Sequence, residues 1–254
     1  MALIRFPMDA MREVRVDVSR GVKPSKLDIP SVVVADLFPE PFDVRLVDLE
    51  QVDGNTTLEE QVLIVALAKR RCARRVFEFG TFDGKTSANL AANLGAEAEV
   101  LTIDLKSELA KGVSLPIRKK DLKFIHKDRI GAKSSCSANV IQLYGDTAQF
   151  DFTPWYGTRD LVFVDACHEY EYVRNDTEIA FKLSQTCGLI IWHDYGKWVG
   201  VTRALNEFHA QDPRCFALRN IAGTTLCFLE VSPEQVAEQS RSARSFVPER
   251  SVTE

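Results

Sequence analysis

From residue 75 onward, short apolar runs alternate with longer segments whose apolar residues recur at helical spacing. The apolar runs are RVFEFG, EVLTIDL, NVIQLYG, DLVFVDA, GLIIWHD and TTLCFLEV, which begin at residues 75, 99, 139, 160, 188 and 224. Such runs, bounded by turn residues, are typical of buried strands. Strands that alternate with helices predict a doubly wound, mostly parallel α/β sheet with helices on both faces. Because ligands of such sheets bind at the carboxyl ends of the strands, functional residues are expected directly after each run.

The helical segments also indicate where the domain begins and ends. They are NTTLEEQVLIVALAKR, TSANLAANL, EYVRNDTEIAFKLSQ and VTRALNEFHA. In the first, Thr57 and Glu60 have the spacing of a capping box, so a helix is expected to start after Thr57. Residues 1–50 contain five of the ten prolines and predict an irregular N-terminal extension that packs over the domain. We expect a single domain over 51–230 and a flexible tail over 231–254.

Composition excludes several classes of protein. The formal net charge of −4 disfavours a dedicated nucleic-acid binder, which needs a basic face to neutralise phosphates. The six cysteines form no CxxC pair, as expected of a reduced protein. No run approaches the roughly 18 apolar residues of a membrane span. The sequence therefore predicts a cytoplasmic protein without a membrane partner, and the N-terminal extension is a candidate contact for a homodimer.

The stretch FEFGTFDGKTSANLA, residues 77–91, has the composition of a cofactor loop. Glu78 ends a strand, Gly80 and Gly84 bracket a turn, and Thr86 opens a helix. A dinucleotide fold requires G-x-G-x-x-G, whose second glycine admits a pyrophosphate. Here Phe82 stands at that place, and the Glu78 carboxylate would repel the phosphates. A cofactor with an ammonium group, such as S-adenosylmethionine, suits the loop better.

In this interpretation Glu78 contacts the ammonium, and the helix N-terminus with the Thr86 or Ser87 hydroxyl contacts the cofactor's carboxylate. Asp104 ends the next strand, twenty residues after Gly84, where a carboxylate can accept both ribose hydroxyls. The alternative is that both glycines serve only as turn residues and Asp104 only caps its strand.

Together these segments resemble the class I S-adenosylmethionine-dependent methyltransferases, in the branch of small-molecule O-methyltransferase-like enzymes. VFEFGTFDGKTSANLA is similar to the family's first motif, VLTIDL to its acidic motif and LYGDT to its adenine-side loop. DLVFVDACHEYEYVRND and GLIIWHDYG are similar to its fourth strand, the following helix and its fifth strand. The resemblance covers about residues 51–230 and implies a Rossmann-like, seven-stranded sheet with an antiparallel last strand. It also implies cofactor contacts from Glu78, Gly80, Thr81, Phe82, Thr86, Asp104, Leu105, Asp146, Thr147 and Asp165.

A second group of polar residues follows two strands that should be neighbours, in VFVDACH and IIWHDY. Carboxylates suit Mg²⁺ and imidazoles suit Zn, Fe or Ni, so the residue types leave the metal open. The resemblance implies metal ligands at Asp165 and Asp194, whereas Tyr195 and His193 replace the family's other ligands. We expect Asp165, His193 and Asp194 to hold a divalent ion that polarises an acceptor hydroxyl. The alternative is that His193 and Asp194 only cap the strand and orient their neighbours.

His168 stands three residues after Asp165, where the resemblance places a catalytic Lys. A histidine with its ordinary pKa can accept a proton as the methyl group arrives, which makes His168 the candidate general base beside Asp165. The alternative is a structural histidine. Because the sulfonium is already an activated donor, alignment of the acceptor is expected to be the protein's main task.

A basic insertion, residues 116–135, separates two of the predicted strands. One interpretation is a lid that attracts an anionic group; the other is a solvated flap anchored by Phe124 and Ile125. RNA binding is disfavoured because base-stacking aromatics are not interleaved with the charges. The cations concerned are Arg118, Lys119, Lys120, Lys123, Lys127, Arg129 and Lys133.

The sequence thus predicts methyl transfer from S-adenosylmethionine to a small-molecule hydroxyl, with a divalent metal as a candidate aid. Two alternatives remain: a binding module that keeps the cofactor cleft without turnover, and a nicotinamide-dependent oxidoreductase. Glu78 and Phe82 argue against the second of these.

Overall fold

The computed structural model describes residues 26–125 and 129–232, and within them it confirms the predicted α/β class. The strands are β1 (Ser31–Val32), β2 (Arg75–Phe79), β3 (Glu99–Asp104), β4 (Val140–Tyr144), β5 (Arg159–Val164), β6 (Ser184–Trp192), β7 (Arg219–Ile221) and β8 (Cys227–Glu230). The helices are α1 (Val34–Leu37), α2 (Leu58–Arg70), α3 (Lys85–Leu94), α4 (Lys119–Leu122), α5 (Tyr170–Leu183) and α6 (Val199–Gln211). Helix α2 begins at the predicted capping box, in which Thr57 and Glu60 satisfy each other's backbone N–H groups.

The strands form one sheet in the order β1-β7-β8-β6-β5-β2-β3-β4. All pairs are parallel except those of β8, which runs antiparallel to β6 and β7. From β2 the chain moves outward through β3 and β4, and it then returns to build β5 and β6 on the other side. The strand order therefore reverses between β2 and β5, which is where doubly wound sheets bind ligands.

Apolar side chains fill both faces of the sheet. On one face, α2 and α3 pack against it through residues such as Ile64, Leu67 and Leu90. On the other face, α5 and α6 contribute residues such as Phe181 and Leu205. Burial on both sides explains why the central strands are continuous apolar runs rather than alternating ones.

Within the residues that the structure describes, the sheet has eight strands rather than the expected seven. The additional strand, β1, comes from the segment predicted to be irregular, and it pairs with β7 at the sheet edge. Both strands are only two or three residues long. Runs this short carry no recognisable periodicity, so neither could be located from the sequence.

The described part of the N-terminal extension packs along α3. The backbone N–H groups of Arg45 and Val47 donate to the side chains of Asn93 and Asn89. Residues 1–25 of the extension and 233–254 of the predicted tail lie outside the described residues. None of the helices in the described ranges combines the length and hydrophobicity that a membrane span requires.

Candidate cofactor and metal site

A cavity of about 590 Å³ opens at the carboxyl ends of the central strands, across the point where the strand order reverses. This size falls within the range of small-molecule sites. Its wall combines residues that follow five different strands with residues of the loop before α2 and of the basic insertion. The predicted site residues on this wall are Gly80, Thr81, Phe82, Thr86, Asp104, Leu105, Asp146, Thr147, Asp165, His168, His193 and Asp194.

The turn after β2 brings two strand ends into close contact. Gly80 has a φ of +89°, and a Cβ there would lie 2.0 Å from the carbonyl oxygen of Asp165. Only glycine fits such a position. Phe82 also has a positive φ, of 50°, and its N–H donates to the Asp104 carboxylate over 2.7 Å. The turn therefore fixes the Asp104 carboxylate and lies against the backbone of Asp165.

Glu78 is not among the described residues that line the cavity, so its contact with the ammonium stays a prediction. Its side chain is 1 % exposed, and one carboxylate oxygen accepts hydrogen bonds from the hydroxyls of Ser87 and Thr102. Burial raises the pKa of Glu78 to about 8 despite these two hydrogen bonds. The strand pattern alone could not reveal this, because Glu78 points beneath the turn rather than into the cleft. Ser87 is likewise unavailable to a cofactor.

Asp104 and Leu105 lie at the end of β3, where the ribose was expected. The Asp104 carboxylate accepts the N–H groups of Phe82 and Leu105, each over 2.7 Å. Burial raises the pKa of Asp104 to about 6, and the backbone donors limit the rise. The group is therefore mostly ionised at neutral pH and can still accept hydroxyl donors with its remaining lone pairs.

The loop after β4 forms the adjacent part of the wall. Asp146 accepts hydrogen bonds from the N–H groups of Ser114 and Ala148 and from the hydroxyl of Tyr172. Although burial opposes the charged form, these donors hold the pKa of Asp146 below its usual value. Thr147 is buried beside it. The two residues are in place to face an adenine ring next to Leu105.

At the opposite end of the cavity, four side chains form an acidic and imidazole cluster: Asp165, His168, His193 and Asp194. His193 Nδ1 lies 2.9 Å from Asp165 Oδ1, and His193 Nε2 lies 3.3 Å from a Glu60 oxygen. Burial would lower the pKa of His193, but the surrounding carboxylates raise it well above its usual value. Both ring nitrogens thus face carboxylates, and the ring is best described as a buried cation.

His168 occupies a similar position between two other carboxylates. Its Nδ1 lies 2.6 Å from Asp121 Oδ1 and its Nε2 lies 2.8 Å from Asp194 Oδ2. The ring stacks on Trp198 with centroids 4.1 Å apart. Burial would lower the pKa of His168, yet these hydrogen bonds outweigh it and raise the pKa to about 9. In this arrangement His168 carries its proton at neutral pH, which does not favour the expected general-base role.

Asp194 lies between the two histidines. Its φ is +66°, a backbone conformation that non-glycine residues rarely adopt and that is enriched at functional sites. Burial disfavours its charged form, but the neighbouring imidazoles more than offset this and hold the pKa of Asp194 well below its usual range. For Asp165 burial prevails, so its pKa is raised.

The donor atoms fit a divalent cation, but with a different third ligand from the one expected. One atom each of Asp165, His168 and Asp194 lie within 4.8 Å of one another. Asp121 holds Nδ1 of His168, the arrangement in which a carboxylate orients a metal-bound imidazole. His193 is not part of this set; its Nδ1 faces Asp165 and its Nε2 faces Glu60.

Tyr195 also points away from this cluster. Its hydroxyl donates to Asn206 and accepts the N–H of Ile29, far from the cavity. Tyr195, which replaces the family's Asn, therefore helps to hold the N-terminal extension against the domain.

The basic insertion closes one side of the cavity, and its cations are largely paired within the protein. Arg118 forms an ion pair with Glu169, and Lys123 lies 3.0 Å from Asp53. Lys133 lies among the carboxylates of Asp48, Glu50 and Asp83. Phe124 and Ile125 line the cavity, so the insertion is a wall rather than a solvated flap. Lys127 and the side chain of Lys120 are outside the described residues; the anion-attracting role of the remaining cations stays a prediction.

Two residues of the site were not found from the sequence. In the sequence, Asp121 is an acid within the basic insertion, and Glu60 is part of a capping box. Neither follows a strand end. Their contacts with histidines 47 and 133 residues away arise from tertiary packing, and no local pattern signals them.

Comparison with known proteins agrees with this architecture. Residues 77–195 match the model of a family described as a methyltransferase domain. No curated protein sequence matches the chain significantly. The S-adenosylhomocysteine-bound methyltransferase PaMTH1 of Podospora anserina is 16% identical, with 71% of this chain and 81% of that chain covered and a TM-score of 0.51.

A proposed caffeoyl-CoA O-methyltransferase from Staphylococcus aureus is 17% identical, with 72% of this chain and 86% of that chain covered and a TM-score of 0.50. At these identities the similarity to solved structures establishes the fold alone. The family match adds sequence similarity over residues 77–195, from within β2 to just after β6. Residues 77–195 are therefore similar to a methyltransferase domain, and the described chain has the fold of these solved methyltransferases.

Proposed function

We propose that the protein transfers the methyl group of S-adenosylmethionine to a hydroxyl oxygen of a small molecule. The observation that carries the proposal is the cavity at the strand-order reversal, where the glycine turn, Asp104 and Asp165 line one continuous space. A nicotinamide cofactor is disfavoured because Phe82 stands where its pyrophosphate would need a glycine.

In the proposed complex the adenosine lies between the ends of β3 and β4. Asp104 accepts the ribose hydroxyls, and Leu105, Asp146 and Thr147 surround the adenine. The methionine carboxylate is received beside the N-terminus of α3, where Thr86 lines the wall and the Lys85 N–H already donates to Asp83. The ammonium is placed at Asp165.

This orientation directs the sulfonium toward the acidic and imidazole cluster. The adjoining wall is apolar and aromatic, as expected of a pocket for a small acceptor. Its members are Ile117, Phe124, Ile125, Trp198 and Val199. These side chains exclude water and align the acceptor oxygen with the methyl group, which is where most of the rate enhancement is expected.

Asp165, His168 and Asp194 are the residues proposed to hold a divalent cation. When bound, such an ion would polarise the acceptor oxygen as a Lewis acid. Asp165, whose pKa is raised by burial, is the carboxylate on the cavity wall that would receive the acceptor's proton. The sulfonium leaves as a neutral thioether once the methyl–oxygen bond forms, so no further co-reactant is needed.

Isothermal titration calorimetry with S-adenosylmethionine, S-adenosylhomocysteine and NAD⁺ tests the cofactor assignment. We expect both adenosyl ligands to bind and NAD⁺ to give no heat. Formation of S-adenosylhomocysteine with a panel of phenols, catechols and aliphatic alcohols then tests turnover. Cofactor binding with no product from any acceptor would favour the non-catalytic binding module, and NAD⁺ binding alone would favour the oxidoreductase.

A further inference from the structure

Glu60 joins three separate parts of the chain through one buried carboxylate. Its exposed fraction is 3%, and it is not one of the described residues that line the cavity. One oxygen accepts the N–H and hydroxyl of Thr57, which completes the cap of α2. The same oxygen lies 3.3 Å from His193 Nε2. The capping box therefore extends into the acidic and imidazole cluster.

The other carboxylate oxygen of Glu60 holds the turn before β8. It accepts the N–H of Thr225 over 2.9 Å and the Thr225 hydroxyl over 2.7 Å. That hydroxyl oxygen in turn accepts the N–H of Asp194 over 3.2 Å. Glu60 thus supports both the ring of His193 and the backbone of Asp194, whose φ is +66°.

A capping role alone does not require these contacts. A glutamate at this helix position needs only to reach the N-cap N–H to complete a capping box. Here every contact beyond Thr57 leads to the cluster: His193 orients the Asp165 carboxylate over 2.9 Å, and Thr225 restrains Asp194. Loss of Glu60 would leave Nε2 of His193 and the hydroxyl of Thr225 without an acceptor. Burying a polar group without a hydrogen-bond partner costs free energy.

We propose that Glu60 is a positioning residue of the methyl-transfer site, acting through His193 and Thr225 on Asp165 and Asp194. The inference rests on the proposed cofactor pose, in which Asp165 contacts the ammonium. Glu60 itself touches neither cofactor nor acceptor, so its effect on ligand affinity must pass through these two partners.

The experiment is a calorimetric titration of the full-length protein with S-adenosylhomocysteine, at one fixed metal concentration. E60Q is expected to weaken binding about tenfold, the lower range for residues that orient site ligands. The matched control is Thr57→Ala, which removes the other half of the capping box and leaves the contacts of Glu60 with His193 and Thr225 in place. Its melting temperature should fall, while its affinity stays within about twofold of the wild type.

Two further variants separate positioning from general stability. T225V keeps the side-chain shape but removes the hydroxyl that links Glu60 to Asp194, so it should weaken binding in the same direction even if E60Q folds poorly. The double variant E60Q/H193Q should lose less affinity than the sum of the two single losses, because H193Q already removes one of the two contacts through which Glu60 acts.

Wild-type affinity in both E60Q and T225V, an E60Q loss no greater than that of T57A, or additive losses in the double variant would each overturn the inference. Failure of the wild type to bind S-adenosylhomocysteine would instead remove the proposed function, and the inference with it.

Discussion

The two ends of the cavity are held by different kinds of contact. At the adenosine end, Asp104 and Asp146 are fixed mainly by backbone N–H groups. At the cluster end, His168 and His193 are fixed by the side chains of Asp121 and Glu60. Any residue except proline supplies a backbone donor, whereas a side-chain partner must be one of a few residue types. The adenosine end should therefore tolerate substitutions around it, and the cluster end should not.

The largest expected effect lies at the turn that joins the two ends. Gly80→Ala would place a Cβ 2.0 Å from the Asp165 carbonyl oxygen, so the two strand ends must separate. We expect a loss of more than about 3 kcal/mol in the free energy of unfolding, measured by urea denaturation.

Gly157→Ala is its matched control, because Gly157 has a φ of +68° but open space around it. It should cost only on the order of 1 kcal/mol, the penalty of the backbone conformation itself. Equal losses at the two glycines would show that crowding at Asp165 is unimportant.

The second prediction concerns Glu78, which belongs to neither end. Its carboxyl titrates near 4.5 when unfolded and near 8 when folded. Between these values the folded state binds more protons, so this group makes the free energy of unfolding fall as pH rises. E78Q removes this pH dependence. Its free energy of unfolding should therefore exceed that of the wild type, by on the order of 2 to 4 kcal/mol at pH 8.

Chemical denaturation of both proteins from pH 4.5 to 8.5 measures this difference. The affinity of E78Q for S-adenosylhomocysteine should match that of the wild type. A pH-independent difference in stability, or a large loss of affinity, would return Glu78 to the cofactor site.

The third prediction tests the adenosine end. D104N replaces a charged acceptor with an amide and should weaken S-adenosylhomocysteine binding by about 10- to 100-fold, since hydrogen bonds to charged groups contribute about 1.5–3 kcal/mol. The control is Asp160→Asn, because Asp160 also accepts two backbone N–H groups, those of Arg74 and Arg75, but at the opposite end of the sheet. Comparable affinities for D104N and D160N would remove Asp104 from the ribose site.

The fourth and smallest effect tests the cluster end. D121N removes the carboxylate that orients His168 and should reduce Mn²⁺ affinity about tenfold in calorimetry. R118Q is the control, because it breaks a neighbouring contact of the same insertion, with Glu169, without touching His168. If D121N and R118Q bind Mn²⁺ equally, Asp121 serves only to dock the insertion.

The same contrast explains which parts of the molecule could be predicted from the sequence. The strand runs placed Asp104, Asp165 and Asp194 at one edge of the sheet because parallel strands end together. The direction in which a side chain leaves its strand was not accessible, so the burial of Glu78 away from the cavity lining could not be predicted. His193 was expected to bind the metal, but its partner Glu60 lies on α2, and the pairing depends on how that helix packs against the sheet.

The protonation state of His168 was missed for a related reason. From the sequence it had the ordinary pKa of an exposed imidazole. In the fold it is enclosed by Asp121, Asp194 and Trp198, and one of these comes from an insertion that carried no recognisable motif. Residues fixed by backbone geometry could thus be assigned from local patterns, and residues fixed by distant side chains could not.

A crystal structure of the protein with S-adenosylhomocysteine tests the central claim most directly. The account predicts ribose hydroxyls on Asp104, adenine beside Leu105 and Asp146, and the sulfur directed toward Asp165 and Asp194. An adenosine bound elsewhere, or bound with its sulfur directed away from that cluster, would contradict it.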